Sequence, residues 1–85
     1  MVMMMEFNLH GLELYEAREE IVYRLEECQM KGIREITLIH GFHRGQVLKN
    51  YIQSERFLKE MAKAGFKLMK KDNKNSGASS FIIIE

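Results

Sequence analysis

Two histidines of this sequence, His10 and His40, are each followed directly by glycine and preceded by a short apolar stretch. Imidazole changes its charge near neutral pH, so it can take or give the protons that phosphodiester cleavage requires. A glycine after each histidine lets the backbone turn sharply and approach a ligand closely. The two junctions therefore predict a site for phosphate chemistry, with His10 and His40 as acid and base candidates.

The stretch after the second junction, "HGFHRGQ", strengthens the phosphate interpretation. It contains Gly41, His43, Arg44 and Gly45. An arginine guanidinium can hold two phosphate oxygens in a bidentate fork, and His43 adds a third titratable group beside it. We predict that these four residues contact a phosphate-bearing ligand.

Hydrophobic periodicity predicts the elements that position these residues. Apolar residues at spacings of three and four from Leu14 to Cys28 indicate a first helix, which Gly32 can cap. A second helical pattern follows the "HGFHRGQ" loop, breaks near Ser54, where serine can begin a new helical piece, and ends at Gly65. The predicted strands are Met3–Leu9, Ile33–His40, Phe66–Lys70 and Phe81–Ile84, with the polar loop "KDNKNSGASS" between the last two.

The resulting order, β-α-β-α-β-β, predicts an α/β two-layer sandwich with a mixed four-stranded sheet. A right-handed crossover between parallel strands puts the helices on one face of the sheet and leaves the other face partly bare. If the first two strands are parallel, His10 and His40 both lie at their carboxyl ends. Ligands of open α/β sheets bind at that edge, where helix starts also offer free N–H groups to phosphate.

Length and composition fit one small domain spanning residues 1–85. A single cysteine cannot form an internal disulfide, and no Cys/His set has the spacing of a zinc site. These features favour a reducing compartment, and we expect a cytoplasmic protein. No segment approaches membrane-spanning length, so we expect no membrane partner.

The formal net charge of +1 conceals an uneven distribution. Residues 1–30 carry two basic and seven acidic side chains, whereas residues 31–85 carry eleven basic and five acidic ones. The basic part suits a phosphate-bearing partner, to which Lys70, Lys71 and Lys74 would contribute. The alternative is an ordinary solvated surface, just as a histidine at a strand end is often only a hydrogen-bonded structural residue.

Three segments together resemble the Smr domain, the small MutS-related module: "FNLHGLELYEA", "GIREITLIHGFHRG" and "SGASSFII". The resemblance covers nearly the whole chain. It implies a fold like the C-terminal domain of translation initiation factor three, and binding to DNA or RNA, often with endonuclease activity. Some relatives act on RNA at stalled ribosomes, so a ribosome is a further candidate partner. His10 matches the histidine of the first family motif, and His40, Gly41 and Gly45 match the second.

Two departures from the family pattern affect the predicted chemistry. Asn8 stands where the family usually has aspartate, which removes a carboxylate that could orient a histidine or attract a metal. His43 stands where the second loop glycine belongs. We predict that Asn8 contributes to nucleic-acid binding. The cofactor stays open, with a divalent metal such as Mg²⁺ as the candidate and no ligand set assigned.

Three functions remain open at this point. The chain is a histidine-based or metal-assisted endonuclease, a non-catalytic module that docks on nucleic acid or a ribosome, or a protein-interaction domain that uses the bare sheet face. Asn8 favours the second over the first, and the basic C-terminal part disfavours the third.

Overall fold

The computed structural model describes residues 4–41 and 46–84. Its elements, in chain order, are β1 (Met4–Asn8), α1 (Leu14–Lys31), β2 (Glu35–Ile39), α2 (Gln46–Ile52), α3 (Glu55–Lys63), β3 (Lys67–Lys71) and β4 (Ala78–Ile84). None of the helices in these two ranges is long and apolar enough to cross a membrane.

The four strands form one mixed sheet in the order β1-β2-β4-β3. β1 and β2 are parallel, with Asn8 opposite Ile39, and β4 runs antiparallel to both β2 and β3. The predicted α/β architecture and the parallel pairing of the first two strands are confirmed. The carboxyl ends of β1, β2 and β3 and the start of β4 therefore share one edge, called here the histidine edge.

All three helices pack on one face of the sheet. Alternate strand residues such as Ile36, Leu38, Phe81 and Ile83 point to that face and share one hydrophobic core with the helices. α1 contributes the predicted apolar stripe, of which Ala17, Ile21, Leu25 and Cys28 are buried. The opposite face exposes large apolar side chains, namely Met4, Met69 and Ile84.

The predicted helix boundaries depend on three local residues. Gly32 caps α1 in the left-handed conformation, with φ of 70°. Ser54 caps α3, because its Oγ accepts the N–H of Phe57 at 3.2 Å. The break predicted near Ser54 is therefore the boundary between α2 and α3. Gly65 follows α3 with φ of 100°, which favours glycine.

β4 starts earlier than its sequence suggested, at Ala78 rather than Phe81. Ala78 to Ser80 end the polar stretch "KDNKNSGASS", for which the sequence predicts a loop, and alanine is depleted in strands. Pairing with β2 overrides that preference, since Ser80 lies opposite Thr37 and their hydroxyl oxygens are 2.7 Å apart in a buried hydrogen bond.

A polar cluster around Glu60 joins the three helices. The Tyr51 hydroxyl of α2 donates to Glu60 of α3, whose carboxylate also pairs with Arg56 of α3 at 3.0 Å and lies 3.8 Å from Arg18 of α1. Tyr51 is otherwise buried, with its ring edge-on to Phe57 at a centroid distance of 5.3 Å. Burial and the neighbouring carboxylate both raise the pKa of Tyr51, so it stays a hydroxyl donor.

We expect Tyr51→Phe to lower the free energy of unfolding by about 1–2 kcal/mol, because the ring packing survives but a hydrogen bond to a charged group is lost. Urea unfolding measures the change. Tyr15→Phe is the matched control, since Tyr15 is 59% exposed, and it should shift stability by less than about 0.5 kcal/mol. Equal effects of the two substitutions would contradict this role of Tyr51.

Candidate nucleic-acid interface

The parallel pairing of β1 and β2 brings both histidine-glycine junctions to the histidine edge. The pairing continues past the strand ends, since Leu9 N–H donates to Ile39 O at 2.8 Å. A Cβ placed on Gly41 would lie 3.6 Å from Nδ1 of His10. The ring of His10 thus lies beside the backbone turn at Gly41, where φ is +87°. The structure brings together the two junctions that the sequence placed 30 positions apart.

His10 is exposed at this edge and is held through its backbone. Its N–H donates to Oδ1 of Asn8 at 2.8 Å, which closes a side-chain turn typical of asparagine and aspartate. The amide oxygen of Asn8 therefore performs the backbone role that an aspartate carboxylate would perform here. What the asparagine lacks is the negative charge.

His40, in contrast, is 1% exposed. Its Nδ1 lies 3.2 Å from Gly41 O, and its Nε2 lies 3.1 Å from Oγ of Ser79 on β4. Because a carbonyl oxygen only accepts, Nδ1 carries the proton and Nε2 accepts from the Ser79 hydroxyl. Ser79 Oγ accepts in turn from Nε2 of Gln53, just after α2, at 3.2 Å.

This chain of hydrogen bonds fixes the turn after β2. His40 N–H and Gly41 N–H both donate to Gly77 O, at 2.9 and 3.0 Å, so the turn is tied to the start of β4 through backbone and side chain. Burial lowers the pKa of His40, and the charge of Lys49 lowers it further, against the opposing hydrogen bond to Gly41 O. His40 is therefore a neutral, buried group at pH 7.

The rest of the "HGFHRGQ" loop, residues 42–45, lies outside the described residues. The predicted roles of His43, Arg44 and Gly45 accordingly stay predictions. The described chain resumes with α2 at Gln46.

The predicted lysines lie at or beyond the end of β3, which belongs to the histidine edge. Lys70 Nζ donates to Gln53 O at 2.9 Å, and Lys71 Nζ pairs with Glu35 at 2.8 Å. Lys74 is exposed in the loop between β3 and β4 and has no hydrogen bond or ion pair within residues 4–41 and 46–84. Of these three lysines, Lys74 is therefore the one whose charge is most available to a ligand.

No group of three or more His, Cys, Asp or Glu side chains that could hold a metal occurs among the described residues. Oδ1 of Asn8 already accepts the backbone N–H of His10. The described donor set does not fit a Mg²⁺ site, and no chemical step is assigned to a metal here.

Sequence reasoning missed Gln53, Gly77 and Ser79. Ser79 and Gly77 lie in "SGASSFII", one of the three segments that resemble the family, but their contacts with His40 follow from the antiparallel pairing of β4 with β2. Gln53 carried no sequence signal, because a polar residue just after a short helix is ordinary. Only the folded chain brings it to Ser79.

Comparison with known proteins places these features in a family context. Residues 7–84 match the sequence model described as the Smr domain. The structure is similar to the crystal structure of the Smr domain of Thermus thermophilus MutS2, with a TM-score of 0.71 and 23% sequence identity, over 95% of this chain and 99% of that chain. At that identity the likeness concerns the fold. No match was found among curated proteins.

The buried neutral state of His40 predicts a loss of stability in acid. The unfolded state binds the proton of His40 more readily than the folded state does. The stability that His40 contributes is therefore complete above the unfolded pKa of about 6.5 and is lost as pH falls through the lower folded pKa. Urea unfolding between pH 7.5 and 5 should show the loss, with a slope from this group of at most about 1.4 kcal/mol per pH unit.

His40→Gln should flatten that pH dependence, since glutamine has no proton to gain in this range. His10→Gln, at the exposed histidine, is the control and should keep the wild-type loss. Identical pH profiles for wild type and His40→Gln would show that His40 is not held neutral by the fold.

Proposed function

Because the chain belongs to the Smr domain family, which is known for nucleic-acid binding and nuclease activity, we propose that it binds DNA or RNA at the histidine edge and cleaves phosphodiester bonds there. The observation that carries the proposal is the meeting of both histidine-glycine junctions at one edge of the sheet. Lys70, Lys71 and Lys74 lie at the same edge and favour a polyanionic ligand.

The two histidines have different roles in this proposal. Hydrolysis forms one P–O bond and breaks another, so the attacking oxygen loses a proton and the leaving oxygen gains one. His10 is exposed beside the Gly41 turn and can perform one of these transfers, and His43 is the sequence-derived candidate for the other. His40 is buried, and both of its ring nitrogens are engaged, so we assign it to positioning the turn.

Phosphate binding in this proposal uses the basic side chains and the backbone turn. Gly41 allows close approach of the chain to a phosphate, and Arg44 supplies the bidentate contact that its side-chain geometry suits. Asn8 contributes by holding the turn at His10 through its 2.8 Å hydrogen bond.

The second candidate function is a non-catalytic module that docks on nucleic acid or on a ribosome. Two observations favour it. Asn8 lacks the charge of the usual family carboxylate, and the buried His40 offers no exposed acid or base. Incubation of the purified chain with labelled single-stranded, duplex and branched DNA and RNA, with and without divalent metal, separates the two functions, because a docking module binds without producing fragments.

His10→Ala should lower the rate of cleavage by about 10²–10⁴-fold, as expected for loss of a proton-transfer group, while the dissociation constant stays within about threefold of wild type, a change of less than about 1 kcal/mol. Single-turnover cleavage and fluorescence anisotropy measure the two quantities. His40→Gln should instead change both together, because it disturbs the turn. Unaltered cleavage by His10→Ala would remove His10 from the chemistry.

Lys74→Ala should weaken binding and reduce the slope of log K against log salt by about 0.9 if Lys74 contacts a duplex phosphate, or about 0.7 for a single strand. Lys63→Ala is the charge-matched control, because Lys63 ends α3 shortly before β3 starts at Lys67, and the start of β3 is opposite to the histidine edge. The salt slope should be unchanged in that control. Equal reductions in the two variants would mean that overall charge, and not a contact at the histidine edge, determines binding.

A further inference from the structure

A polar recess lies where β3 and β4 separate. The last pair of these strands is Lys71 with Ser80, whereas β4 continues to Ser79 and Ala78, which pair with β2 on their other side. Within residues 4–41 and 46–84, the β3 side of Ser79 and Ala78 consequently has no strand beside it. The recess at this position has a volume of about 290 Å³.

The recess is lined by both charged and uncharged polar residues. Lys70 and Lys71 line it together with one carboxylate, Asp72. The uncharged polar residues of the lining are Gln53, Asn73, Ser79 and Ser80.

The two carboxamides keep unused hydrogen-bonding capacity. Gln53 donates one N–H to Ser79 Oγ at 3.2 Å, and Asn73 donates one N–H to Ser80 Oγ at 2.8 Å. Asn73 Oδ1 also accepts the N–H of Asn75 at 2.8 Å. A carboxamide offers two donors and two lone pairs, so among the described residues each retains at least one donor and one acceptor.

A free donor and acceptor on one carboxamide match the edge of a nucleobase, as in the bidentate pairing of asparagine or glutamine with adenine. In an intact duplex these edges lie in grooves, which proteins read with a protruding helix or β-ribbon. A concave recess near the lower limit of small-molecule pocket size cannot enter a groove. It can receive a base that is already unpaired, as proteins that read single-stranded RNA do.

The recess is joined to the histidine edge through Ser79. Ser79 lines the recess, and its hydroxyl is bonded to Nε2 of His40, which holds the Gly41 turn. A strand with one phosphate at that turn can extend towards β4 and the recess, where Lys70 and Lys71 favour a further phosphate.

We infer that this recess binds one unpaired nucleotide next to the phosphate held at the histidine edge, so that the substrate is a single strand or a duplex with an unpaired nucleotide. The inference rests on the proposed function and adds the structural class of the nucleic acid. The base is recognised through its edge by Gln53 and Asn73, because the only aromatic side chain lining the recess within the described residues, Phe81, is 1% exposed.

The first test compares three labelled oligonucleotides of one sequence, in DNA and in RNA form: a perfect duplex, the same duplex with one bulged nucleotide, and the single strand. Fluorescence anisotropy with the full chain should give at least about tenfold tighter binding, or about 1.4 kcal/mol, for the two unpaired forms. Asn73→Ala should remove most of this preference while leaving duplex affinity within about twofold, or 0.4 kcal/mol. Asn50→Ala, at an exposed asparagine of α2 outside the recess, should change neither value.

The second test uses the wild-type protein, so it does not depend on a variant that folds. Adenosine, cytidine, guanosine and uridine monophosphates are titrated against ¹⁵N-labelled protein, with ribose 5-phosphate as the probe that lacks a base. The side-chain amide resonances of Gln53 and Asn73 should move with at least one nucleotide and not with ribose 5-phosphate.

Two results would overturn the inference and leave the proposed function standing. One is equal affinity for the perfect duplex and the unpaired forms, with the effects of Lys74→Ala intact. The other is movement of the amide resonances by ribose 5-phosphate and the nucleotides alike, which would make the recess a simple phosphate site. Failure to bind any of the three oligonucleotides would overturn the proposed function and the inference with it.

Discussion

Parallel pairing of β1 with β2 is the constraint on which the candidate site depends. Side chains alternate between the faces of a sheet, so a slip of one residue would turn Met5 and Phe7 out of the core. The core therefore fixes the register, and the register sets Asn8 opposite Ile39. Each histidine follows its paired residue within two positions. The burial of side chains along β1 and β2 therefore brings the two histidine-glycine junctions together.

β4 completes the edge from the opposite direction. It enters the sheet antiparallel beside β2, so its first residues lie beside the last residues of β2. Small side chains at this point leave room for His40 to be buried, and Ser79 satisfies its Nε2. A larger apolar residue at Ser79 would leave a buried ring nitrogen without a partner, which is costly in a protein interior.

The histidine edge thus has a buried layer and an exposed layer with different physical tasks. Ser79 and His40 are buried, and the exposed Gln53 bonds to Ser79, so that these three residues connect the end of α2, β4 and the turn after β2. The exposed layer, with His10 and Lys74, presents titratable and cationic groups to solvent. In the proposed function, hydrogen-bonded support beneath exposed polar groups keeps the binding surface in one geometry and leaves the exposed groups available to the ligand.

The sequence by itself determined the order of the elements, because apolar spacing and local caps such as Gly32 and Ser54 act over a few residues. It also determined the family, through "FNLHGLELYEA" and "GIREITLIHGFHRG", and the placement of His10 and His40 at neighbouring strand ends. The start of β4 was predicted wrongly. The local sequence of Ala78 to Ser80 favours a loop, but pairing with β2 holds these residues in a strand.

Only the tertiary structure decided which histidine is exposed and which is buried. Both occur in the same His-Gly context, so no local pattern separates them. Ser79 of β4 contacts the ring of His40, and Gln53 just after α2 contacts Ser79, whereas His10 follows β1, which is the outermost strand of the sheet within the described residues. Burial depends on neighbours that are distant in sequence. It lowers the pKa of His40, and the buried ring bonds to the turn at Gly41.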